Sequence, residues 1–399
     1  VYAERESQKQ ELVPLDSRLL LPESDFSLLL EHWSQAFCVN SSFGESKEAV
    51  RRILGLTVGV RAQEQMNRRV SRDVEEYGQG LPTPPEEEES EVVVIAADCK
   101  GIPMVRQAED TRPQGKRLTK GEKKTKKKMA AVAAVYSIDR HRRCSDDVLD
   151  EVRHRESEER RPVPQSKRVR ADLTEVHDGV EINGKDATLG WASDEAQRRS
   201  CSGDKPVVCL MDGERALWSR VTQLLPSFVG VLDLVHVLER LWTAAHAFFG
   251  EGSDEAVEFV DKQLRALLEG RVGYAIGSLK QMRTKRGLEG NKKTTVESVI
   301  GYFENNRKYM HYDEYLAEGF PIGSGVAEGA CRHLVKDRME RTGMRWTIDG
   351  AQAMLKVRAA YINGEWDKVL RFRTIRTASN HLAQRAILAS HEENHAKAA

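Results

Sequence analysis

Glu91-Val92-Val93-Val94-Ile95-Ala96-Ala97-Asp98 is the stretch that decides the fold. Six apolar residues run without polar alternation between two acids, the pattern of a strand covered on both faces. A second such run, Val207 to Met211, ends in Asp212-Gly213-Glu214, and a third, Phe228 to Leu232, ends in Asp233. Met129 to Tyr136 is a further strand candidate, although its alanines would also suit a helix. Buried strands separated by helical stretches predict an α/β domain with parallel pairing.

Outward from these strands the pattern changes. Residues 17–80 read as helical: Ala49, Val50, Ile53 and Leu54 share one face, and Gly55 opens a short turn. A second helix then keeps Met66, Val70 and Val74 in an i, i+4 row, leaving Arg61, Arg68, Arg69 and Arg72 to face outward. This resembles a helix-turn-helix, whose second helix enters the DNA major groove, and an ordinary helical hairpin fits the pattern equally well. Leu81 to Pro85 and the acids Glu86 to Glu91 form a linker over residues 81–91. The core's first part is expected over 92–236, with residues 140–204 irregular apart from one helix near Asp186–Ser200. From Leu234, apolar residues step by three and four (Leu238, Leu241, Ala245, Phe248, then Val257, Val260, Leu264, Leu267), so an all-helical insertion is expected over 237–317. Residues 318–345 return to the core, and 346–399 hold a helix and a polar tail expected to fray.

Asp98 and Asp212 sit at the C-terminal tips of buried strands, and Glu328 sits in Ser324-Gly325-Val326-Ala327-Glu328-Gly329, a helix start. Neighbouring parallel strands lie about 4.8 Å apart, so acids at the same end can share a metal ion. Two Mg²⁺ ions about 4 Å apart can clamp a phosphodiester, and carboxylates suit this hard, oxygen-seeking ion. Gly101, Gly213 and Gly329 beside the acids would let a nucleic-acid backbone approach closely. Each acid alone has an ordinary reading as a cap or turn former, and their separations of 114 and 116 positions certify nothing by themselves. The conjunction of the three is the stronger signal.

The whole-chain average is neutral, with 62 basic and 62 acidic residues among 399, but the charge is segregated. Residues 112–128 carry nine Lys or Arg, Lys126, Lys127 and Lys128 among them, against Glu122 alone. A solvated loop is the default reading of such a block; beside a metal cage a polyanion contact is favoured. The six cysteines form no CxxC pair, which argues against a zinc ribbon or a disulfide framework and for a reducing compartment. No apolar run approaches a membrane span and no signal peptide is visible, so a cytoplasmic protein without membrane partners is expected. The first residue is Val1, so a truncated start is expected.

Four segments carry a family resemblance: Ala97-Asp98-Cys99-Lys100-Gly101, Pro206 to Trp218, Leu232 to Glu239, and Pro321 to Met339. Over about residues 10–373 the chain resembles the Kra group of bacterial insertion-sequence transposases, kin to the Mutator-like DDE enzymes. The resemblance implies an RNase H-like mixed sheet with flanking helices and an all-helical insertion before the last catalytic helix; residues 1–80 are expected to form a helical, helix-turn-helix-like DNA-binding region. It implies that Asp98, Asp212 and Glu328 are the catalytic, metal-holding triad for two Mg²⁺ ions, with Mn²⁺ able to substitute. The group's Asp-x-x-His signature falls on Asp233 and His236, as support of the site or a DNA contact; their ordinary reading is a helix N-cap and a packed or solvated histidine. Arg332 and Lys336 lie four and eight residues beyond Glu328 and are expected to grip phosphates flanking the scissile bond. Arg61, Arg68, Arg72, Lys126, Lys127 and Lys128 are the other expected DNA contacts. Trp218, Trp242 and Trp346 read as core packing, with base stacking the alternative for Trp346.

The expected activity is therefore binding of terminal inverted repeats, hydrolysis at the element's end and strand transfer into target DNA. The expected partners are double-stranded transposon ends and target DNA together with further copies of the chain, as a homodimer or higher assembly, nucleoid-associated when DNA is bound. Two alternatives stand beside it: an RNase H-like nuclease that hydrolyses without joining, and a catalytically silent DNA-binding repressor.

Overall fold

The computed structural model describes residues 2–3, 10–12, 14–19, 21–22, 24–105, 127–153, 161–177, 179–200, 203 and 205–398. They fall into two compact units: Pro82–Lys336, and a second assembled from both ends of the chain, Val1–Leu81 with Asp337–Ala399.

The Pro82–Lys336 unit is built on a five-stranded sheet among the described residues. Its strands are β1 (Val92–Pro103), β2 (Lys127–Ile138), β3 (Gln165–Asp172), β4 (Val207–Met211) and β5 (Val229–Leu232). Their order is β3-β2-β1-β4-β5. The pairs β1–β2 and β2–β3 are antiparallel, whereas β1–β4 and β4–β5 are parallel. This mixed sheet with flanking helices is of the RNase H-like class expected from the sequence. Val92 to Ala96 and Val208 to Met211 have no exposed surface, which is why these runs lack polar alternation.

The described part of residues 140–204 holds more regular structure than expected. It supplies helix Ser145–Val152 and strand β3 as well as helix Gly184–Arg199. Among the described residues β3 is an edge strand, half exposed over Gln165–Arg168. Its Lys167, exposed, and Arg168 and Arg170, partly buried in ion pairs with Glu195 and Asp172, break up the apolar signal. Gly184 begins the following helix hard against the chain: a Cβ there would lie 2.5 Å from the Asp172 carbonyl oxygen.

The insertion is helical, as its periodicity predicts: Leu234–Phe248, Asp254–Leu268, Val272–Lys285, Gly290–Asn306 and Tyr312–Glu318. Ser253 caps its second helix by accepting from the Ala256 N–H at 3.3 Å. The insertion's last part fastens to β5. The Tyr312 hydroxyl donates to the Leu232 carbonyl at 2.7 Å, the Tyr315 hydroxyl to that of Gly230 at 2.8 Å, and Tyr309 stacks on Trp218.

In the unit built from the two ends, helices Leu28–Cys38, Phe43–Leu54 and Val60–Gln79 pack with Ile348–Ile362 and Trp366–Ala398. The helix that begins at Trp366 runs to Ala398. Gly55, at φ +69°, ends its helix in the left-handed conformation that glycine adopts without strain. Val50, Val58 and Met66 form one apolar cluster; Val39, Val70, Val357 and Trp366 form another. Arg69 does not face outward: its guanidinium donates to Glu31 at 2.6 Å. Arg338 is fully buried between the rings of Phe43 and Trp346 and donates to the Cys38 carbonyl at 2.7 Å. Trp346 is buried too and donates to the Met339 carbonyl, which is the packing reading of this residue.

Candidate active site

Register builds the site. Ala97 pairs with Met211, and Met211 with Leu232, across three adjacent parallel strands. Asp98, Asp212 and Asp233 follow these three residues, so they stand at one level. Asp212 and Asp233 come directly after their strands, whereas Asp98, expected at a strand tip, lies inside β1, which runs on to Pro103 paired with β2.

Asp98 is half-buried; one oxygen accepts from the Cys99 N–H at 2.6 Å and the other from the Cys331 thiol at 3.4 Å. Asp212 accepts from the Glu214 N–H at 2.8 Å, an aspartate turn that the Asp-Gly pair announces. Its carbonyl accepts from the Trp218 indole at 2.8 Å. Burial raises the Asp212 pKa above the ordinary carboxylate range, and the charge of Asp98 raises it further. Two anions held close and partly buried are what a divalent cation relieves, and their oxygens are the donors Mg²⁺ prefers.

Glu328 lies in helix Gly325–Ala330, which packs against β1 and β2. The helix continues through a π-helical turn, Cys331–Lys336, with Cys331, Leu334 and Val335 buried and Arg332, His333 and Lys336 exposed. Turns of this kind are frequent at functional sites. The thiol of Cys331 touches Asp98, so Glu328, three residues earlier, stands about one helical turn from that contact. Its side chain is exposed. Among the described residues no three His, Cys, Asp or Glu side chains are gathered closely enough to hold a metal ion. The structure thus brings Asp98 and Asp212 together and sets the Glu328 helix beside them, without closing the three carboxylates into one ligand shell.

Asp233 is buried and caps helix Leu234–Phe248 by accepting from the Val235 N–H at 2.9 Å. The same carboxylate accepts from both the N–H and the hydroxyl of Ser324. His236, half-buried, lies 3.2 Å from a Glu239 oxygen. Burial works against its charged form, but Asp233, Glu239 and Asp212 outweigh it and raise the histidine's pKa.

Other expected contacts are scattered. Lys127 and Lys128 open β2 opposite Pro103 and Ile102. Lys126 and the rest of the basic block back to Arg112 lie outside the described residues. Arg61, Arg68 and Arg72 are exposed along one stripe of helix Val60–Gln79, in the unit formed by the chain ends. Gly213 does not leave room for nucleic acid: a Cβ there would meet the Tyr302 ring at 2.3 Å and Asn306 at 2.7 Å. Its space is taken by the insertion. Gly101 is crowded as well, by Lys127 at 3.0 Å, while Gly329 faces open space.

Three neighbours escaped the sequence reading. Lys185 pairs with Glu214 beside the two aspartates, and Ser324 meets Asp233 across 91 positions. Cys99, half-buried next to Asp98, has its thiol pushed up to about 12 by burial and then by Glu214. No local pattern announces contacts of this reach.

No described helix is long and apolar enough to cross a membrane. No protein-family model matches the chain, and none of the curated proteins matches it. Among solved structures it is similar to a chain of the Drosophila P element transposase strand transfer complex, at 11% identity and a TM-score of 0.28, covering 88% of this chain and 83% of that one. A likeness at that TM-score carries no weight of its own.

Proposed function

We propose that the chain is a DDE transposase of an insertion sequence, as its segments resembling the Kra group imply. The observation that carries this reading is the register that sets Asp98, inside β1, level with Asp212 at the C-terminal end of β4, with the Glu328 helix against β1. Asp98, Asp212 and Glu328 are the residues that would hold Mg²⁺. Bound Mg²⁺ supplies Lewis-acid stabilisation of the attacking and leaving oxygens of a phosphodiester.

The protein's own groups orient the site. The Trp218 indole and the Glu214 N–H fix Asp212 from both sides. Arg332 and Lys336, exposed beyond Glu328, are the residues that would hold DNA phosphates on either side of the reacting bond. Arg61, Arg68 and Arg72 offer a cationic stripe for the terminal repeats, and the partners are duplex transposon ends, target DNA and a second copy of the chain.

Asp98→Ala and Asp212→Ala should each lower Mg²⁺-dependent cleavage of end-bearing duplex by about 10³-fold or more while leaving its binding within about twofold. Retained cleavage by either variant would overturn the assignment. A strand-transfer assay with pre-cut ends then separates a transposase, which joins them, from a nuclease that only hydrolyses.

One observation favours a second reading. Glu328 stands outside any three-residue ligand group among the described residues, an arrangement a silent DNA-binding repressor would tolerate. That reading predicts specific binding of ends with no product in Mg²⁺ or Mn²⁺.

A further inference from the structure

We infer that Asp233 is a positioning residue: it ties the two ends of the helical insertion together and thereby sets the start of the helix bearing Glu328. The inference rests on the proposed role of Glu328 and assigns Asp233 no metal.

Asp233 is 2% exposed, and both its oxygens are engaged by donors of the chain. One accepts from the Val235 N–H at 2.9 Å and the Ser324 N–H at 3.2 Å; the other accepts from the Ser324 hydroxyl. Val235 lies in the first turn of the insertion, and Ser324 stands just past its last helix, Tyr312–Glu318. Beside this clamp the Leu234 N–H donates to the Ile322 carbonyl at 2.8 Å, so the outgoing and returning strands of chain are joined twice. The first turn of the Glu328 helix then hangs on Ser324, whose carbonyl accepts from the Glu328 N–H at 3.0 Å.

A carboxylate accepts hydrogen bonds and donates none, so it suits a site that presents three donors. Oxygens occupied in this way are poorly placed to bind a cation, although Asp233 stands level with Asp98 and Asp212. A shift of Ser324 would carry Glu328 with it, and a displacement of about 1 Å at a reacting site can cost on the order of 10²-fold in rate. Anything that moves the insertion at its attachment is therefore felt at Glu328.

The test compares Asp233→Ala, Asp233→Asn and Ser324→Ala in the full chain, with end-bearing duplex and Mg²⁺. Asp233→Ala should lower kcat about 10- to 100-fold with duplex Kd within about twofold, and should speed hydrogen exchange of the amides from Gly325 to Glu328. Asp233→Asn keeps one carbonyl acceptor, and the Ser324 hydroxyl can turn to accept from the amide, so it should recover most of the rate. Ser324→Ala combined with Asp233→Ala should be no worse than Asp233→Ala alone. If Asp233→Asn is as inactive as Asp233→Ala and needs more Mg²⁺, Asp233 is a ligand and the inference is wrong. Unchanged amide exchange in both Asp233→Ala and Ser324→Ala would equally sink it. If the wild-type chain cleaves nothing, the proposed function fails, while the exchange comparison still decides the clamp.

Discussion

At Asp212, burial and the adjacent Asp98 both oppose ionisation, so the folded chain holds this group less willingly charged than the unfolded one does. A carboxyl whose pKa is raised on folding leaves stability intact below its unfolded pKa and lowers it as pH rises through the folded value. Asp212→Asn should therefore raise the metal-free unfolding midpoint at pH 7, and the gain should vanish as pH falls below the ordinary carboxylate range. Thermal melts across pH check this; equal melting at pH 7 would mean that the repulsion is already screened. This part of the site was legible in the sequence, because an acid at the end of a fully buried strand has its place set by the strand. The level at which Asp98 and Asp212 meet was not, since it depends on the pairing of Ala97 with Met211 across 114 residues.

Among the elements, the insertion shows how far periodicity reaches. Its helices and the stretch they occupy follow from apolar spacing, whereas its attachment depends on single atoms. Gly213 and Gly230 are both contact points: a Cβ at Gly230 would sit 2.6 Å from the Tyr309 ring. Gly213→Ala should cost about 1–3 kcal/mol, read from urea unfolding, because the Tyr302 ring must move. The same substitution made on a Tyr302→Ala background should cost much less. An equal cost in both would place the strain elsewhere. β3 was hidden for the opposite reason: a half-exposed edge strand with alternating charges looks like a loop, and its partner β2 is the residue-level evidence the sequence lacked. The π-helical turn after Glu328 was equally invisible, since backbone hydrogen-bond register leaves little mark on composition.

For the molecule as a whole, the decisive fact is that its two ends build one unit. Glu31 and Asp73, both buried, meet Arg373 at 2.6 Å and 2.5 Å. Burial alone would push the Glu31 pKa up, but hydrogen bonds from Arg373 and Arg69 outweigh it and bring the pKa down. A carboxyl lowered on folding contributes stability above its unfolded pKa and loses that contribution in acid. Arg373→Ala should cost about 1.5–3 kcal/mol at pH 7, because it removes the cation the two buried acids share and leaves Glu31 to Arg69 and Asp73 to Arg376. The cost should shrink as pH falls and Glu31 protonates. Denaturant titration at pH 7 and pH 4 measures both; a pH-independent loss would mean that Arg373 acts through packing alone. Partners 342 positions apart leave no trace in any window of sequence.

This pairing also sets a timetable. A ribosome makes Glu31 and Asp73 long before it makes Arg373, and the whole Pro82–Lys336 unit passes between them. The Pro82–Lys336 unit can therefore mature on the nascent chain while the early helices wait, their acids still in water. Only a polypeptide made past Arg373 can close the helical unit, so termination before Arg373 would release chains with a formed sheet and early helices lacking their later partners.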